Sequence, residues 1–431
     1  MSRAWAWASS ELSRRPVMKN ILVLLTGSTL AQIVAMVISI FTARIFTPED
    51  FGAFGIYGSI TGVLVTVASL RYDMTIVLPD SDDEARVIGK LATRINLAIS
   101  ISAAVLAFLL RDVVYDVWGN EIVATWLPLG GLTVFLLAQV NILSYWHNRK
   151  RNYNVISMNR VEQTIGSAGG QLAFGLGGMA SMAGLLLGTL LGQVWAFFRL
   201  GISARDFRSP VGPDAPSMRA VATTYKKMPL LNLPNALIDS VRVNGIQMLV
   251  GLVAVGSLGQ LNLAWRTLQV PISLINGAVS QVFYRELAEV KPGNMVRLVR
   301  KTAVRSFLFG MPPFILLYLI SPWLFTFVFG AQWDQAGDFA RALTPWLAMQ
   351  LITSPISTVF VVTSKQHWML IFSIVFCVAP LTVLALNPFG LIGTITAMSW
   401  IMAVLLAFMI LMAVWASRAY DRTVIEHEGD E

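Results

Sequence analysis

The chain has 431 residues, of which 55% are hydrophobic and only 13% are charged, and its formal net charge is +8. Soluble domains carry about 25% charged residues, so the deficit excludes a chain built from soluble domains and indicates a surface that faces lipid. The basic residues lie in short clusters between apolar runs. This distribution is typical of membrane topology, and we expect no nucleic-acid partner.

The residues that commonly bind metals or form disulfides are few. Cys377 is the single cysteine, so an intrachain disulfide is excluded. His147, His367 and His427 lie far apart and lack the spacing of metal ligands. Walker, Rossmann and nucleophile-elbow motifs are absent from the sequence, which disfavours an ATP-driven pump or an enzyme. We therefore expect neither a metal nor a cofactor.

The N-terminus predicts a surface segment followed by a first membrane span. Trp5, Trp7, Arg14 and Arg15 are typical of a segment that lies on the membrane surface, and we assign this segment to 1–18. The apolar run 21–41 is too long for the core of a signal peptide, so we interpret it as part of the first span.

About twelve apolar segments follow, each near the ~20 residues that a helix needs to cross a bilayer. The predicted fold class is an all-α polytopic membrane protein, with two six-helix bundles around a central cavity. The predicted spans are 19–43, 52–78, 91–110, 123–145, 158–178, 181–200, 229–254, 259–284, 303–328, 340–363, 368–387 and 390–416.

The longest connection, 201–228, contains three prolines and several basic residues and is interpreted as a linker. It separates an N-terminal bundle at 19–200 from a C-terminal bundle at 229–416. A tail follows at 417–431.

The positions of lysine and arginine predict the orientation. Of the 32 Lys and Arg residues, only Arg44, Arg111 and Arg341 lie in segments on one side of the predicted spans. Nearly all the others lie on the opposite side, which the positive-inside rule makes cytoplasmic. We therefore expect a multi-pass protein of the inner (plasma) membrane with both termini in the cytoplasm.

The two halves show a weak internal repeat. Phe51-Gly52 follows the first span as Leu258-Gly259 follows the seventh. An apolar span and then a basic amphipathic stretch come next in each half, at 84–94 and at 294–305. Repeats related by an axis along the membrane normal are typical of transporters.

Ionisable residues within spans are the candidate site residues, because each costs at least ~2.5–3.5 kcal/mol at the bilayer centre. They are Arg71 and Asp73 in the second predicted span, Asp239 and Arg242 in the seventh, and Arg266 in the eighth. Arginine forks suit phosphate oxygens, so these arginines are candidates for binding an anionic substrate in the cavity.

A purely structural interpretation stays open for most of these candidates. Asp239 and Arg242 share a helix face and could form an ion pair that only holds helices together. Arg71 and Asp73 could lie at the membrane interface, whereas Arg266 has no acidic neighbour within a turn.

Three further residues are candidates with alternatives. Gln32 and Asn235 could line a cavity or bridge helices. Pro271 follows Arg266 by about one turn and is a candidate hinge, since prolines kink helices. The tryptophans near span ends are predicted to form the interfacial belt, and they are Trp118, Trp126, Trp146, Trp323, Trp333 and Trp346.

Three stretches resemble one family. It is the polysaccharide-transport family, the Wzx-type lipid-linked oligosaccharide flippases. The similar stretches are TARIFTPEDFGAFGIYGSI at 42–60, LRYDMTIVLPDSDDEA at 70–85 and the segment 255–289. That family belongs to the multidrug/oligosaccharidyl-lipid/polysaccharide exporter superfamily. The resemblance implies two six-helix bundles that work by alternating access.

The eighth span adds a partial match to related flippases. Ala264, Arg266 and Pro271 match a pattern whose arginine faces the cavity, but Leu263 stands where tyrosine is usual. The resemblance also implies the function: translocation of an undecaprenyl-pyrophosphate-linked oligosaccharide for O-antigen-like, lipopolysaccharide or exopolysaccharide biosynthesis.

The expected partners are the lipid-linked oligosaccharide and membrane lipids, together with a polysaccharide polymerase and chain-length machinery. A proton or sodium gradient is the expected energy source. One alternative is a cation-coupled multidrug exporter, although the first span lacks the acidic residue usual in those exporters. The other is a membrane glycan polymerase or ligase, although the external loops are short.

Overall fold

The computed structural model describes residues 16–288, 290, 293–363 and 365–429. The predicted surface segment 1–18 falls mostly outside this range. The described chain is helical throughout, with no β-strand.

Twelve helices of at least 20 residues occur in the described residues, one for each predicted span. They are α1 (Pro16–Ile45), α2 (Pro48–Val67), α3 (Asp82–Leu109), α4 (Gly130–Arg149), α5 (Tyr153–Leu176), α6 (Met182–Ser203), α7 (Leu233–Val253), α8 (Val255–Ala288), α9 (Met295–Phe329), α10 (Asp334–Thr353), α11 (Gln366–Leu386) and α12 (Gly390–Gly429).

Eight helical stretches of the described chain are long and apolar enough to cross a bilayer. They correspond to α2, α3, α4, α6, α7, α9, α11 and α12. An apolar stretch at Thr29–Ile45 in α1 is shorter. These helices satisfy their backbone hydrogen bonds internally, which is the requirement for crossing lipid. The predicted fold class is confirmed, and the chain is a multi-pass membrane protein.

The chain divides into two compact units. The first contains residues 1–46 and 60–237, and the second contains 47–59 and 238–431. The first half of α2 thus packs within the second unit, and the boundary near residue 237 falls inside α7. The predicted bundle limits at 19–200 and 229–416 remain a prediction.

The start of α2 explains the first motif of the family resemblance. The Thr47 hydroxyl accepts from the Asp50 backbone N–H at 3.2 Å, and Asp50 Oδ2 accepts from the Thr47 N–H at 3.0 Å. This reciprocal arrangement is a capping box, and Pro48 occupies the first helical position, where its missing N–H costs nothing. The Thr-Pro-Glu-Asp sequence therefore fixes where α2 begins.

The end of α2 differs from the prediction. The helix ends at Val67 and not near residue 78, because Leu70 (φ 46°) and Arg71 (φ 63°) adopt left-handed backbone conformations. A short 3₁₀ helix, Tyr72–Val77, follows. Non-glycine residues rarely adopt this region, so two in succession mark a strained turn held by its surroundings.

α2 and α8 cross at two glycines in the second unit. A Cβ atom on Gly52 would lie 1.8 Å from the Val255 carbonyl oxygen, and one on Gly259 would lie 1.8 Å from that of Pro48. Pro48 and Val255 are the first residues of the two helices, and each precedes its glycine by four residues. The contact therefore looks the same from either helix, which confirms the predicted correspondence of Gly52 with Gly259.

The start of α3 is tied to the end of α4 in the first unit. Ser81 caps α3 by accepting from the Asp83 N–H at 3.2 Å. Asp82 accepts from Arg149 Nε at 2.8 Å and also from Lys150. The bond to Asp82 raises the pKa of Lys150.

The predicted linker 201–228 is folded onto the first unit and is not a free connector. Phe207 is buried against Gly89, and Asp206 accepts from the indole N–H of Trp146 at 3.1 Å. The Tyr72 hydroxyl donates to the Ala222 carbonyl at 3.1 Å. Phe207, Asp206 and Ala222 thereby attach the segment to α3, α4 and the turn after α2.

Not all of the tryptophans that were predicted to lie in the interfacial belt are at the protein surface. Trp146, Trp333 and Trp346 are almost completely buried, whereas Trp323 is exposed. Trp333 packs edge-to-face on Phe51, with ring centroids 5.1 Å apart. The belt assignment is therefore wrong for the three buried rings, which serve as packing groups inside the protein.

We expect Gly259→Ala to destabilise the protein by about 1–3 kcal/mol or more, because the new methyl group would overlap a backbone oxygen that cannot move aside like a side chain. Melting temperature in detergent measures the effect. Gly58→Ala is the matched control, since a Cβ at Gly58 meets no atom within 4 Å. A stable Gly259→Ala variant would contradict the close crossing.

We expect Asp82→Asn to destabilise the first unit by about 1–3 kcal/mol, because the neutral side chain loses charge-assisted bonds to Arg149 and Lys150. Asp80→Asn is the control, since the Asp80 side chain is exposed. Equal melting temperatures for the two variants would show that the Asp82 contacts contribute nothing.

Candidate functional site

The predicted site residues separate between the two units. Gln32, Arg71, Asp73 and Asn235 belong to the first unit. Asp239, Arg242, Arg266 and Pro271 belong to the second.

In the first unit, Arg71 and Asp73 lie in the turn after α2 and not within a span. Asp73 is 5% exposed and accepts from the Ser69 hydroxyl at 2.7 Å. The two residues form no ion pair within 4.0 Å, and the buried Arg71 Nε has no hydrogen-bond partner in the described chain. Asp73 thus stabilises the strained turn, while the Arg71 guanidinium keeps hydrogen-bonding capacity.

Gln32 is half-buried in α1, and Asn235 is exposed in α7. Neither side chain is brought into a defined group with the candidate arginines. Their assignment to a substrate cavity remains a prediction.

In the second unit, Asp239 and Arg242 form the predicted pair within α7. Arg242 Nη2 lies 2.5 Å from Asp239 Oδ1. The two partners differ in burial, because the side chain of Arg242 is 11% exposed and that of Asp239 is 69% exposed. Both residues lie on α7, so the ion pair itself joins no second helix, and the purely structural interpretation of Asp239 and Arg242 remains open.

Aromatic rings from two other helices surround the Arg242 guanidinium. It lies 4.9 Å from the ring centroid of Phe376 on α11 and 5.8 Å from that of Trp346 on α10. Such cation–π contacts are worth about 0.5–2 kcal/mol, more when the cation is desolvated. Trp346 packs edge-to-face against Trp265 of α8 at 5.0 Å, so α7, α8, α10 and α11 all meet at this cluster.

Several hydrogen-bonding atoms at the cluster have no partner among the described residues. They include Nη1 of Arg242, Nε1 of Trp346 and Oε1 of Gln350. Trp346 and Gln350 are four residues apart on α10 and so share one face. A buried polar atom without a partner costs about 1–3 kcal/mol, so unused donors mark a place where a ligand or water can bind.

Arg266 lies immediately after Trp265 and has a different environment. Its side chain retains exposed surface although protein atoms surround it densely, and it makes no hydrogen bond or ion pair with any described residue. α8 has 34 residues, and at 1.5 Å per residue Arg266 lies about 16 Å from the start of the helix.

Pro271 lies inside α8, and the helix continues beyond it to Ala288. Its ring removes one N–H, so the Thr267 carbonyl loses its helical partner. The local weakness is compatible with a hinge, and that role remains a prediction.

The aromatic partner Trp346 was missed as a site residue. Its position near the start of a predicted span indicated an interfacial ring, and only the packing of four helices reveals its contact with Arg242. Pro345 before it and Gln350 one turn later are the only local signals of an unusual helix segment. In the described residues, no group of three or more His, Cys, Asp or Glu could hold a metal ion.

The comparisons with known proteins agree with this architecture. A family model described as polysaccharide biosynthesis protein matches residues 41–338. Among curated protein sequences, none matches this chain.

Solved structures of low sequence identity share the fold. The lipid II flippase MurJ in an inward closed conformation has a TM-score of 0.74 and 14% identity, over 90% of this chain and 87% of that one. The MATE multidrug transporter DinF-BH, solved as a complex, has a TM-score of 0.67 and 14% identity, over 93% and 96%. A MOP superfamily transporter from Pyrococcus furiosus, described as having a binding pocket of reversed polarity, gives 0.60 and 16%, over 93% and 96%.

We expect position 266 to be accessible to water. In a Cys377→Ala background, Arg266→Cys should react with a membrane-impermeant thiol reagent, because a thiol ionises and reacts only where water reaches it. Val404→Cys is the control, since Val404 is an exposed apolar residue of α12 and is expected to face lipid. A new thiol that fails to react at position 266 but reacts at position 404 would contradict a hydrated site.

The family match covers more than half of the chain. The chain therefore belongs to the polysaccharide biosynthesis protein family.

Proposed function

We propose that this protein translocates an undecaprenyl-pyrophosphate-linked oligosaccharide across the inner membrane by alternating access. The observation that carries the proposal is Arg266, a guanidinium with exposed surface in the first third of α8 and with no protein counter-charge among the described residues. Family membership supports a role in polysaccharide biosynthesis.

The chemistry of the arginines fits a pyrophosphate. A guanidinium presents several N–H donors in a plane and forms two parallel bonds with phosphate oxygens. Arg266 makes no hydrogen bond with any described residue. Arg242 adds one nitrogen without a partner among them, on a guanidinium 5.8 Å from the ring centroid of Trp346. The sugars of the cargo would follow the pyrophosphate through the polar interior while the lipid tail stays in the bilayer.

The similarity in fold to a lipid II flippase supports the same class of cargo, a lipid carrying a phosphate-linked glycan. A proton or sodium gradient or the membrane potential would supply the energy. The O-antigen-like, lipopolysaccharide or exopolysaccharide product, and cooperation with a polymerase and chain-length machinery, belong to this proposal, as do the cytoplasmic termini.

The alternatives receive less support. A glycan polymerase would need a large external loop. On the external side of the proposed topology the longest connection, 110–129, has 20 residues, and others such as 46–47, 177–181 and 387–389 are much shorter. A multidrug exporter shares the fold. The first span of this chain, however, lacks the acidic residue usual in cation-coupled exporters, which disfavours that function.

We expect Arg266→Ala to reduce export of surface polysaccharide at least tenfold at matched protein levels, with lipid-linked repeat units accumulating on the cytoplasmic side. Losing one charge-assisted contact of about 1.5–3 kcal/mol predicts an effect of this size. The assay combines polymer quantification with the sidedness of the accumulated lipid.

Two further variants serve as controls for Arg266→Ala. Arg266→Lys should retain part of the activity, because the charge remains although the fork is lost. Arg341→Ala is the charge-matched control, since Arg341 donates to the Tyr318 carbonyl and lies outside the candidate cluster. Normal export by Arg266→Ala, or a changed drug resistance with normal polymer, would overturn the proposal.

A further inference from the structure

The first unit contains a cavity of about 440 Å³ that the proposed function does not use. It lies at the end of the unit where α3 begins and where α4 and α6 end. In the predicted orientation this end faces the cytoplasm. Its walls come from three helices and from the short segment after α6, and they consist of Lys90, Thr93, Arg94, Phe135, Gln139, Leu143, Phe197, Phe207 and Arg208.

Three cations line the cavity and no acidic residue does. Lys90 and Arg94 are four residues apart on α3, where like charges repel. Among the described residues, neither they nor Arg208 pair with a carboxylate, and Arg94 contacts only the sulfur of Met218, at 3.3 Å. The cavity therefore carries three positive charges that no described carboxylate neutralises.

Neighbouring cations at the same end of the unit are neutralised. Arg86 pairs with Asp83, Arg149 pairs with Asp82, and Lys150 contacts both Asp82 and Asp206. Carboxylates are therefore plentiful here, yet none is directed at the cavity. The cations at the cavity are unpaired while their neighbours are paired, which argues against the cavity being an ordinary solvated surface with basic residues.

A buried amide provides an independent observation. Gln139 is 5% exposed, and its Nε2 donates to the Thr93 hydroxyl at 3.2 Å. Its Oε1 is buried without a hydrogen-bond partner in the described chain, although Gln139 lines the cavity. A buried amide oxygen without a partner is costly unless a ligand or water donates to it.

Aromatic rings form the rest of the wall. Phe135 and Phe197 lie 6.1 Å apart, and Phe207 packs against Trp146 at 5.2 Å. Phe207 fits because Gly89 has no side chain, since a Cβ there would lie 2.3 Å from the ring. The cavity thus combines anion-binding groups, a hydrogen-bonding amide and apolar faces suited to carbon-bearing groups.

We propose that this cavity binds a phosphate ester, with the phosphate at Lys90, Arg94 and Arg208 and its organic group against the phenylalanine rings. Two sources supply this chemistry, a soluble sugar phosphate and the headgroup of an anionic lipid. The inference goes beyond the proposed function and is tested without any translocation assay.

The experiment measures binding to the full-length purified protein in two arms. One arm titrates α-D-glucose 1-phosphate, with glucose as the uncharged control. The other compares nanodiscs of phosphatidylcholine alone with nanodiscs that also contain phosphatidic acid. Both arms follow melting temperature, since a ligand that binds only the folded protein raises it. In the soluble arm, tryptophan fluorescence also reports from Trp146 beside the wall.

We expect Arg208→Gln to weaken binding about tenfold, the loss of one charge-assisted contact, and Lys90→Gln with Arg94→Gln to weaken it further. Arg208 is exposed, so its single substitution leaves the fold intact. Arg205→Gln is the matched control, because it removes the same charge from the same short helix without lining the cavity.

Binding of the sugar phosphate alone would assign a soluble ligand, and a response to phosphatidic acid alone would assign a lipid headgroup. Either result supports the site if Arg208→Gln weakens binding about tenfold and Arg205→Gln does not. The proposal is overturned if neither phosphate ester binds, if glucose binds equally well, or if Arg205→Gln weakens binding as much as Arg208→Gln.

Discussion

A guanidinium group inside a bilayer needs water or a counter-charge, and this requirement organises the candidate site. Desolvating an ion costs several kcal/mol even after the protein relaxes around it. Arg242 meets the requirement with Asp239 and with the rings of Trp346 and Phe376. Arg266 keeps its side chain accessible and unpaired among the described residues. Two arginines of the same unit thus have opposite environments, and only the second leaves its full charge available to a ligand.

The glycine crossing of α2 and α8 is a second constraint, and it acts on the backbone. Gly52 and Gly259 let the two helices approach until a methyl group would overlap a carbonyl oxygen. Such contacts between small residues are how membrane helices associate where no hydrophobic driving force exists. Because α8 also carries Trp265 and Arg266, the crossing fixes the helix on which the candidate cluster is built.

The sequence was sufficient for the helices and for the repeat, and it failed where distant residues meet. Apolar length and basic clusters predict spans because a bilayer leaves few alternatives. The turn at Leu70 and Arg71 was not predictable, since neither residue favours a left-handed backbone by itself. The contact of Trp346 with Arg242 joins residues on helices that are far apart in the sequence, and no local pattern encodes it. The walls of the cavity in the first unit likewise come from four separate segments.

The presence or absence of a counter-charge also distinguishes the roles that Arg242 and Arg266 can have. A cargo phosphate that binds Arg242 must compete with Asp239, which already accepts from it. A phosphate that binds Arg266 has no described carboxylate to displace. In the proposed transport cycle binding has to be reversed each time, which favours the arginine that has no ion pair to break and form again among the described residues. Arg266 is therefore the stronger candidate for contact with a phosphate, and Arg242 with its aromatic neighbours is better suited to holding α7, α10 and α11 together.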